Sequence, residues 1–240
     1  MKLNVYLTQS GLCSRRKAVD LIKSGEITVN HWKTTDPGYL VQEKDTIRYK
    51  KQIIKLTHEE PIYIAINKPL GIVTTLADTH GRATIIDLLG KKWKQRVFPI
   101  GRLDTHTSGI IILTNDGNLC HKLAHPRYNI KKVYQITLDK PLEPEHARLI
   151  TKGLYLTDGP IKVDKLEQGY NTTKAKVTIH SGRNRIVRRI FESLGYKTKS
   201  LERISFAGIS KKGLAQGEWR NLTAKEVEKL TRYTTGSTAS

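Results

Sequence analysis

The chain has 240 residues, 38% of them hydrophobic, and carries 42 Lys+Arg against 22 Asp+Glu for a formal charge of +20. That length holds one sizeable domain or a small domain joined to a medium one, and the clustering of apolar residues excludes a disordered polyelectrolyte. The basic excess points to a polyanion, because each phosphate neutralised by Lys or Arg releases counterions; basic residues spread along the whole chain fit a nucleic acid better than a membrane surface. Cys13 and Cys120 stand in unlike contexts, without a CxxC partner, and the histidines form no HExxH pair. A reducing compartment and no metal are therefore expected. With no apolar signal core and no run near the ~18–20 residues that span a bilayer, a soluble cytoplasmic protein is expected.

In chain order, Leu3, Val5, Tyr6 and Leu7 begin a short helix that stops near Gly11. Ser14 reads as the N-cap of a second helix, with Ala18, Val19, Leu21 and Ile22 on its apolar face and Gly25 past its end. Glu26 to Asn30 alternates as a strand, Asn30-His31 turns, and another strand follows near Thr46 to Tyr49. Arg15, Arg16, Lys17 and Lys23 lie on the solvent side of the second helix. A charge run is usually a solvated face; crowded at a helix N-terminus, where cations are disfavoured, this one suits a phosphate.

The run Gly11 to Ala18, Leu21 to Gly25, Ile27 to Asn30 and Asp45 to Ile47 resembles the small S-four-like, or α-L, RNA-binding module. The resemblance implies RNA contacts by Arg15, Arg16 and Lys17. His31-Trp32 departs from the glycine that this family usually places at the turn.

Polar residues Lys50 to Glu60 read as a linker, giving a binding domain over 1–58, a second domain over 59–232 and a disordered tail over 233–240. In the second domain, Ile62 to Ile66 is a strand, Asn67-Lys68-Pro69-Leu70-Gly71 a turn, and Ile72 to Thr75 a resumed strand. Thr84 to Leu89 is a short helix ending at Gly90, and Val97 to Ile100 leads into Gly101-Arg102-Leu103-Asp104-Thr105-His106-Thr107-Ser108-Gly109. Ile110 to Leu113 is a strand buried on both faces, and Asn115-Asp116-Gly117 a hairpin-type turn. Further strands are expected at Lys132 to Leu138 and Lys174 to His180, and helices at Glu143 to Lys152, Asn184 to Leu194 and Ala224 to Leu230. Strands and helices without regular βαβ alternation give an α+β fold, with a mixed, mainly antiparallel sheet and flanking helices.

Asp104 draws notice as a carboxylate beside Arg102 in a glycine-bounded loop anchored by a core strand. An aspartate in such a loop most often caps a turn. Hydrolytic plans fit poorly around it: a glycosidase needs two carboxylates, a triad needs an oriented histidine, and GxxxxGK[ST] and Rossmann GxGxxG loops are missing. A cofactor-free reaction run by one aspartate remains. Tyr134 by itself reads as an ordinary strand tyrosine, and the Arg183, Arg185, Arg188 and Arg189 cluster as a basic helix face.

The stretch Gly101 to Gly117, with Asn67 to Gly71, Lys132-Val133-Tyr134 and Gly182 to Glu192 in order, resembles the signature of RsuA/RluB-type ribosomal pseudouridine synthases, over nearly the whole chain. The resemblance implies isomerisation of a uridine in ribosomal RNA without a cofactor, with large-subunit RNA favoured over small-subunit. It implies Asp104 as catalytic aspartate, Tyr134 as the ring packed on uracil, Arg188 as the cation paired with Asp104, and Arg102 filling the space of the flipped nucleotide. Arg183 and Arg185 are expected to contact RNA, with Arg82, Arg127, Lys131 and Lys132 as weaker candidates. Ile186 stands where many relatives carry Gln. The partner implied is ribosomal RNA or a pre-ribosomal particle, bound by a monomer. The rival reading is a non-catalytic RNA-binding or ribosome-assembly factor; an RNA glycosylase or nuclease would release free base or cut strands.

Overall fold

A computed structural model describes residues 1–56, 60–91, 93–169 and 172–235, which divide into two compact units, Met1–Glu60 and Pro61–Ser240. Each has its own core.

The first unit opens with α1 (Leu3–Gln9) and α2 (Arg15–Lys23). Ser14 caps α2 by accepting the Lys17 amide at 3.3 Å, as its position before an amphipathic run predicts. The sheet follows as β1 (Ile27–Val29), β2 (Trp32–Lys33), β3 (Ile47–Tyr49) and β4 (Gln52–Ile53), in the order β2-β1-β3-β4. Leu3, Leu7, Ala18, Leu21, Ile22, Ile27, Val29 and Ile47 bury together between helices and sheet. The β1–β2 turn puts both Asn30 and His31 at positive φ, so a two-residue primed turn forms without the usual glycine. The Asn30 side chain pins it, donating to Asp45 (2.7 Å) and accepting from the Thr46 amide (2.9 Å). Part of the stretch expected as linker is instead a second hairpin, with Lys50 and Lys51 at its positive-φ turn and β4 beyond it. Both turns sacrifice local comfort to β-pairing that buries Ile27 and Ile47.

The second unit contains β5 (Tyr63–Lys68), β6 (Phe98–Pro99), β7 (Ser108–Thr114), α3 (Gly117–Ala124), β8 (Lys132–Leu138), α4 (Pro144–Lys152) and the hairpin β9 (Leu154–Leu156) and β10 (Gly159–Ile161). It continues with β11 (Lys165–Gln168), β12 (Lys174–Ile179), α5 (Ile186–Glu192), β13 (Thr198–Phe206), β14 (Ile209–Ser210), β15 (Trp219–Asn221) and α6 (Ala224–Thr235). One large sheet runs β11-β12-β8-β13-β7-β5-β15, with β14 on β13 and β6 on β7. Among the described strand pairs only β13 with β7 is parallel, so the mixed, mainly antiparallel α+β fold expected from sequence is what forms.

Strand β7 is buried throughout, and its alternate residues face different cores. Ile110 and Ile112 pack with residues of α3 and α6, whereas Ile111 and Leu113 join Ile64, Ile66, Ile85, Leu89 and Leu103 on the other side. A third core around β8, β12, α4 and α5 holds Ile136, Val177, Ile190 and Phe191. A strand covered on both faces must be apolar at consecutive positions, which is the Ile110–Leu113 run.

Five local expectations are corrected. Asn67 and Lys68 belong to β5 and are buried, so the turn begins only at Pro69. Residues 72–75 contribute an isolated bridge, Val73 to Thr84, in place of a strand. Asp116 does not turn a hairpin; it N-caps α3, accepting from the Asn118 and Leu119 amides (3.0 Å each). Helix α6 runs to Thr235, past the expected start of the tail at 233, and residues 236–240 lie outside the described residues. Thr84–Leu89 shortens to a 3-10 turn at Asp87–Leu89.

One buried lysine, Lys68, and one half-buried lysine, Lys132, hold chain ends at the sheet. Lys68 Nζ donates to the Pro69 and Ile72 carbonyls (2.8 and 3.0 Å), and Lys132 Nζ to the His180 and Ser181 carbonyls (2.8 and 3.4 Å). Burial pulls each down from 10.5 to about 8; the Asp104 carboxylate opposes this at Lys68, while Arg203 adds to it and Asp164 opposes it at Lys132. Below about 8 folded and unfolded chains both hold these protons and the burial penalty is fully present. Between 8 and 10.5 the unfolded chain binds more protons, so stability rises with pH. Urea unfolding should therefore show a gain of about 1 kcal/mol per lysine between about pH 7.5 and about pH 9.5, roughly halved in Lys68→Met; a flat or falling midpoint contradicts the assignment.

Gly109, at φ +109°, makes the parallel seam possible. A Cβ there would lie 2.2 Å from the Arg203 carbonyl oxygen and 2.6 Å from its nitrogen. Gly101 (φ +72°) needs only its backbone freedom, since a Cβ there meets open space. Gly109→Ala should cost about 3 kcal/mol or more, adding overlap to left-handed strain, and Gly101→Ala about 1–2 kcal/mol. Equal losses for the two in denaturant titrations would overturn this account of the seam.

Candidate active site

Asp104 sits on the 101–107 loop, which the preceding segment clamps at both neighbours. Thr74 Oγ1 donates to the Leu103 carbonyl (2.8 Å), the Leu103 amide donates back to Thr74 Oγ1 (3.3 Å), and the Gly71 amide donates to the Thr105 carbonyl (3.0 Å). The Thr107 amide closes a turn on the Asp104 carbonyl at 3.0 Å. Leu103 is buried in the core beside β5 and β7, while the Asp104 side chain is half-exposed. The loop therefore hangs from the core through Leu103 and presents the next residue outward, as a scaffold positions a reactive group.

The carboxylate faces a cleft of about 530 Å³ lined by residues of three segments: 73–82, 102–106, and Arg185 with Arg188. Arg102, Asp104, Arg185 and Arg188 are thus brought together. Arg188 Nη2 donates to the His106 carbonyl at 2.6 Å, which ties α5 to the Asp104 loop. Burial and the neighbouring Arg185 draw the Arg188 pKa down, and the Asp104 and Glu192 carboxylates push it back up. The expected Asp104–Arg188 pair is therefore an electrostatic neighbour relation; among the described residues the two do not approach within the 4.0 Å of a direct ion pair.

Arg185 carries φ +49° at the N-cap of α5 and pairs with Glu192 at 3.3 Å. Arg183 and Arg189 are turned elsewhere. Arg189 makes a two-pronged contact to Asp158 (2.8 and 2.6 Å), and Arg183 donates to the Gly159 carbonyl (3.3 Å) with Asp158 3.6 Å away. Both bind the β9–β10 turn, and neither lines the cleft. A seven-residue helix has faces about 100° apart for adjacent residues, so Arg188 and Arg189 cannot serve one site. Ile186 is buried in the α5 core.

Tyr134 does not line the cleft; it is half-buried on β8 and packs against both the α5-side core and the core that contains Leu103. Arg15, Arg16 and Lys17 are exposed on α2 in the first unit. Of the weaker candidates, Arg82 lines the cleft paired to Asp78 (2.7 Å), Arg127 stacks on Tyr128 (4.6 Å), and Lys131 is exposed. Lys132 is spent on backbone carbonyls and is corrected from a surface contact to an internal one.

Several site residues were not singled out from sequence. Thr74 clamps the loop, the 75–80 segment forms one wall, Lys68 places a buried ammonium near Asp104, and Arg203 lies fully buried beside Tyr134. Lys68 and Arg203 had a readable signal: each ends or interrupts an otherwise apolar strand pattern. Among the described residues no three His, Cys, Asp or Glu side chains gather as a metal site, and no helix is long and apolar enough to cross a membrane.

Comparison with known proteins places this geometry. The profile of the RNA pseudouridylate synthase family matches residues 62–193, and that of the S4 domain residues 1–47. The chain is 38% identical over 234 residues to "Ribosomal large subunit pseudouridine synthase B" of Bacillus subtilis, covering 95% of each. It is 36% identical over 228 residues to "Dual-specificity RNA pseudouridine synthase RluF" of Escherichia coli K12, covering 95% of this chain and 77% of that one. A solved pseudouridylate synthase superposes with a TM-score of 0.70 at 28% identity, over 96% of this chain and 99% of the other. With an S4 domain ahead of the catalytic fold and a cleft at the Asp104 loop, the chain belongs to the RNA pseudouridylate synthase family, as an RNA-modifying isomerase of the RsuA/RluB type.

Proposed function

We propose that this enzyme converts a uridine of ribosomal RNA, in the large subunit, to pseudouridine, with Asp104 as the catalytic group. The observation that carries the reading is the placement of Asp104: a carboxylate fixed between two backbone clamps, in a cleft shared with Arg102, Arg185 and Arg188. The ribosomal large-subunit substrate is supported by the name of the Bacillus subtilis relative, which matches over nearly its whole length. Ribosomal RNA, free or in a precursor particle, is the partner, and a monomer in the cytoplasm suffices because every proposed site residue lies in one chain.

The chemistry fits this small set of groups. The bond from ribose C1′ to N1 of uracil breaks, the ring turns, and C1′ rejoins through C5. The hydrogen on C5 leaves to solvent while N1 takes a proton, so nothing is oxidised and no energy donor is consumed. Asp104 acts either as nucleophile at the ribose or as base toward a ribose proton. The base must first leave its stack, at a cost of a few kcal/mol. Arg102, exposed at the mouth, takes the vacated space, and stacking on the Tyr134 ring returns roughly 1–3 kcal/mol. Tyr134 packs against the core that contains Leu103, the residue before Asp104, and would meet the flipped base from that side. Arg188 and Arg185 supply positive charge for the carboxylate and the flanking phosphates.

The exposed basic start of α2 supplies the address. Arg15, Arg16 and Lys17 stand at a helix N-terminus where the backbone amides also favour phosphate. Arg183, held to the β9–β10 turn, contributes to RNA binding from outside the cleft.

Two outcomes are expected. Asp104→Asn should lower tritium release from C5-labelled uridine in ribosomal RNA by more than about a thousandfold while leaving RNA affinity within about twofold; full activity in that variant sinks the assignment. Reversing the charges of Arg15, Arg16 and Lys17 should weaken RNA binding and flatten the slope of log affinity against log salt by about 2–3, with little effect on turnover of a saturating short substrate. An unchanged slope would take α2 out of the interface.

A further inference from the structure

Arg203 is 2% exposed, and among the described residues its guanidinium makes no ion pair. Burying an uncompensated charge costs several kcal/mol, and a well-packed apolar side chain at such a site is usually neutral or stabilising. A guanidinium kept there calls for a reason beyond packing.

Its contacts supply one. Nε donates to the Ile110 carbonyl on β7 at 2.8 Å, and the charged group lies over the Phe206 ring at 4.8 Å. A register shift between Arg203 and Ser205 leaves Phe206 on the guanidinium side of β13. Arg203 stands directly opposite Tyr134 in the antiparallel β13–β8 ladder, so both side chains project from the same face. Burial draws the arginine's pKa down, and the Tyr134 phenol is the group that pushes it back up. The guanidinium thus binds a carbonyl of β7, the strand that carries the Asp104 loop, on the face of the sheet where Tyr134 of β8 stands opposite it. Nη2 has no hydrogen-bond partner, so the group is held by direction and not by full satisfaction.

We propose that Arg203 is a positioning residue that locks the Tyr134 ring in register with the Asp104 loop, and so sets the rate of the isomerisation without touching RNA. The proposal rests on the role assigned above to Tyr134. Two arms of the sheet meet at this arginine: the Asp104 loop enters β7 at Ser108, one residue before the Gly109–Arg203 pair, and Tyr134 faces Arg203 from the other side. A neutral residue of similar volume would fill the space and leave the ring free to rotate or slide. Misplacement of a reacting partner by about 1 Å is worth about a hundredfold in rate.

The test uses the full-length enzyme with ribosomal RNA substrate, in Arg203→Met, Arg203→Lys and Tyr134→Leu. Arg203→Met is expected to keep or raise the thermal midpoint, leave KM within about twofold and lower kcat by about 10–100-fold. Arg203→Lys, which lacks the planar fork, should lose several-fold in kcat. With 3-fluorotyrosine placed at position 134, the fluorine resonance should shift and broaden in both arginine variants. A purely structural role predicts instead a lowered midpoint with an unmoved resonance. Wild-type kcat in Arg203→Met while Tyr134→Leu is inactive overturns the positioning role alone; an active Tyr134→Leu overturns the reading of Tyr134 and this proposal with it. Should Arg203→Met fail to fold, Arg203→Lys decides: wild-type kcat with an unmoved resonance overturns the proposal.

Discussion

The cleft depends on β7 lying flush against β13 at Gly109. This parallel seam joins two differently built halves of the large sheet. On one side β5, β7 and β15 pack with α3 and α6; on the other β8, β11, β12 and β13 pack with α4 and α5. Asp104 belongs to the first half, Arg188 and Tyr134 to the second. Registered contact across the seam is short, Glu202 with Ser108 and Arg203 with Gly109, whereas the antiparallel ladders beside it are long. Only a residue without Cβ permits backbone at that distance. The Arg188 contact to the His106 carbonyl and the Arg203 contact to the Ile110 carbonyl are bolts across the same joint, one above Gly109 and one below it.

What sequence reveals of this protein tracks how local the determining physics is. Ser14 and Gly25 bracket α2 through capping and turn preferences that act within a few residues, and both were legible. Strand β8 was legible over Lys132–Leu138 because a half-buried strand alternates. The hairpins β3–β4 and β9–β10 were not read: Lys50-Lys51 is a poor turn signal whose positive φ is imposed by pairing, whereas Asp158-Gly159-Pro160 carried a turn signal that was overlooked. Asn67-Lys68 looked like a turn because it is polar before Pro-Leu-Gly; Lys68 stays in the strand because two carbonyls receive its ammonium, a fact fixed by the path of residues 69–72. Asp116 misled for the opposite reason: Asn-Asp-Gly suits a hairpin, yet the same aspartate is a good N-cap, and the apolar Leu119 and Leu123 beyond it decide for a helix.

The candidate site divides in the same way. Asp104, Arg102 and the α5 arginines were visible through the family resemblance, but which arginine faces the cleft was not, because Asp158, far along the chain, claims Arg189 and approaches Arg183. The wall formed by residues 73–80 carried no signal, its contribution being a path across the cleft and a single hydroxyl, Thr74, against Leu103. Such contacts depend on where loops travel, and loop paths are set by the cores beneath them.

Charge placement gives these pieces a common logic. Lys68, Lys132 and Arg203 are anchored mainly by backbone carbonyls, and among the described residues none of the three makes an ion pair. A carbonyl orients a cation without cancelling its charge. Arg189 and Arg220 are treated differently, each paired with a carboxylate, Asp158 and Glu226. The cations of α2 are placed differently, facing water, where a phosphate contact would release counterions. One chain thus carries positive charge in two settings: exposed on α2, where salt screens it, and inside the sheet, where salt barely screens it and backbone carbonyls orient it.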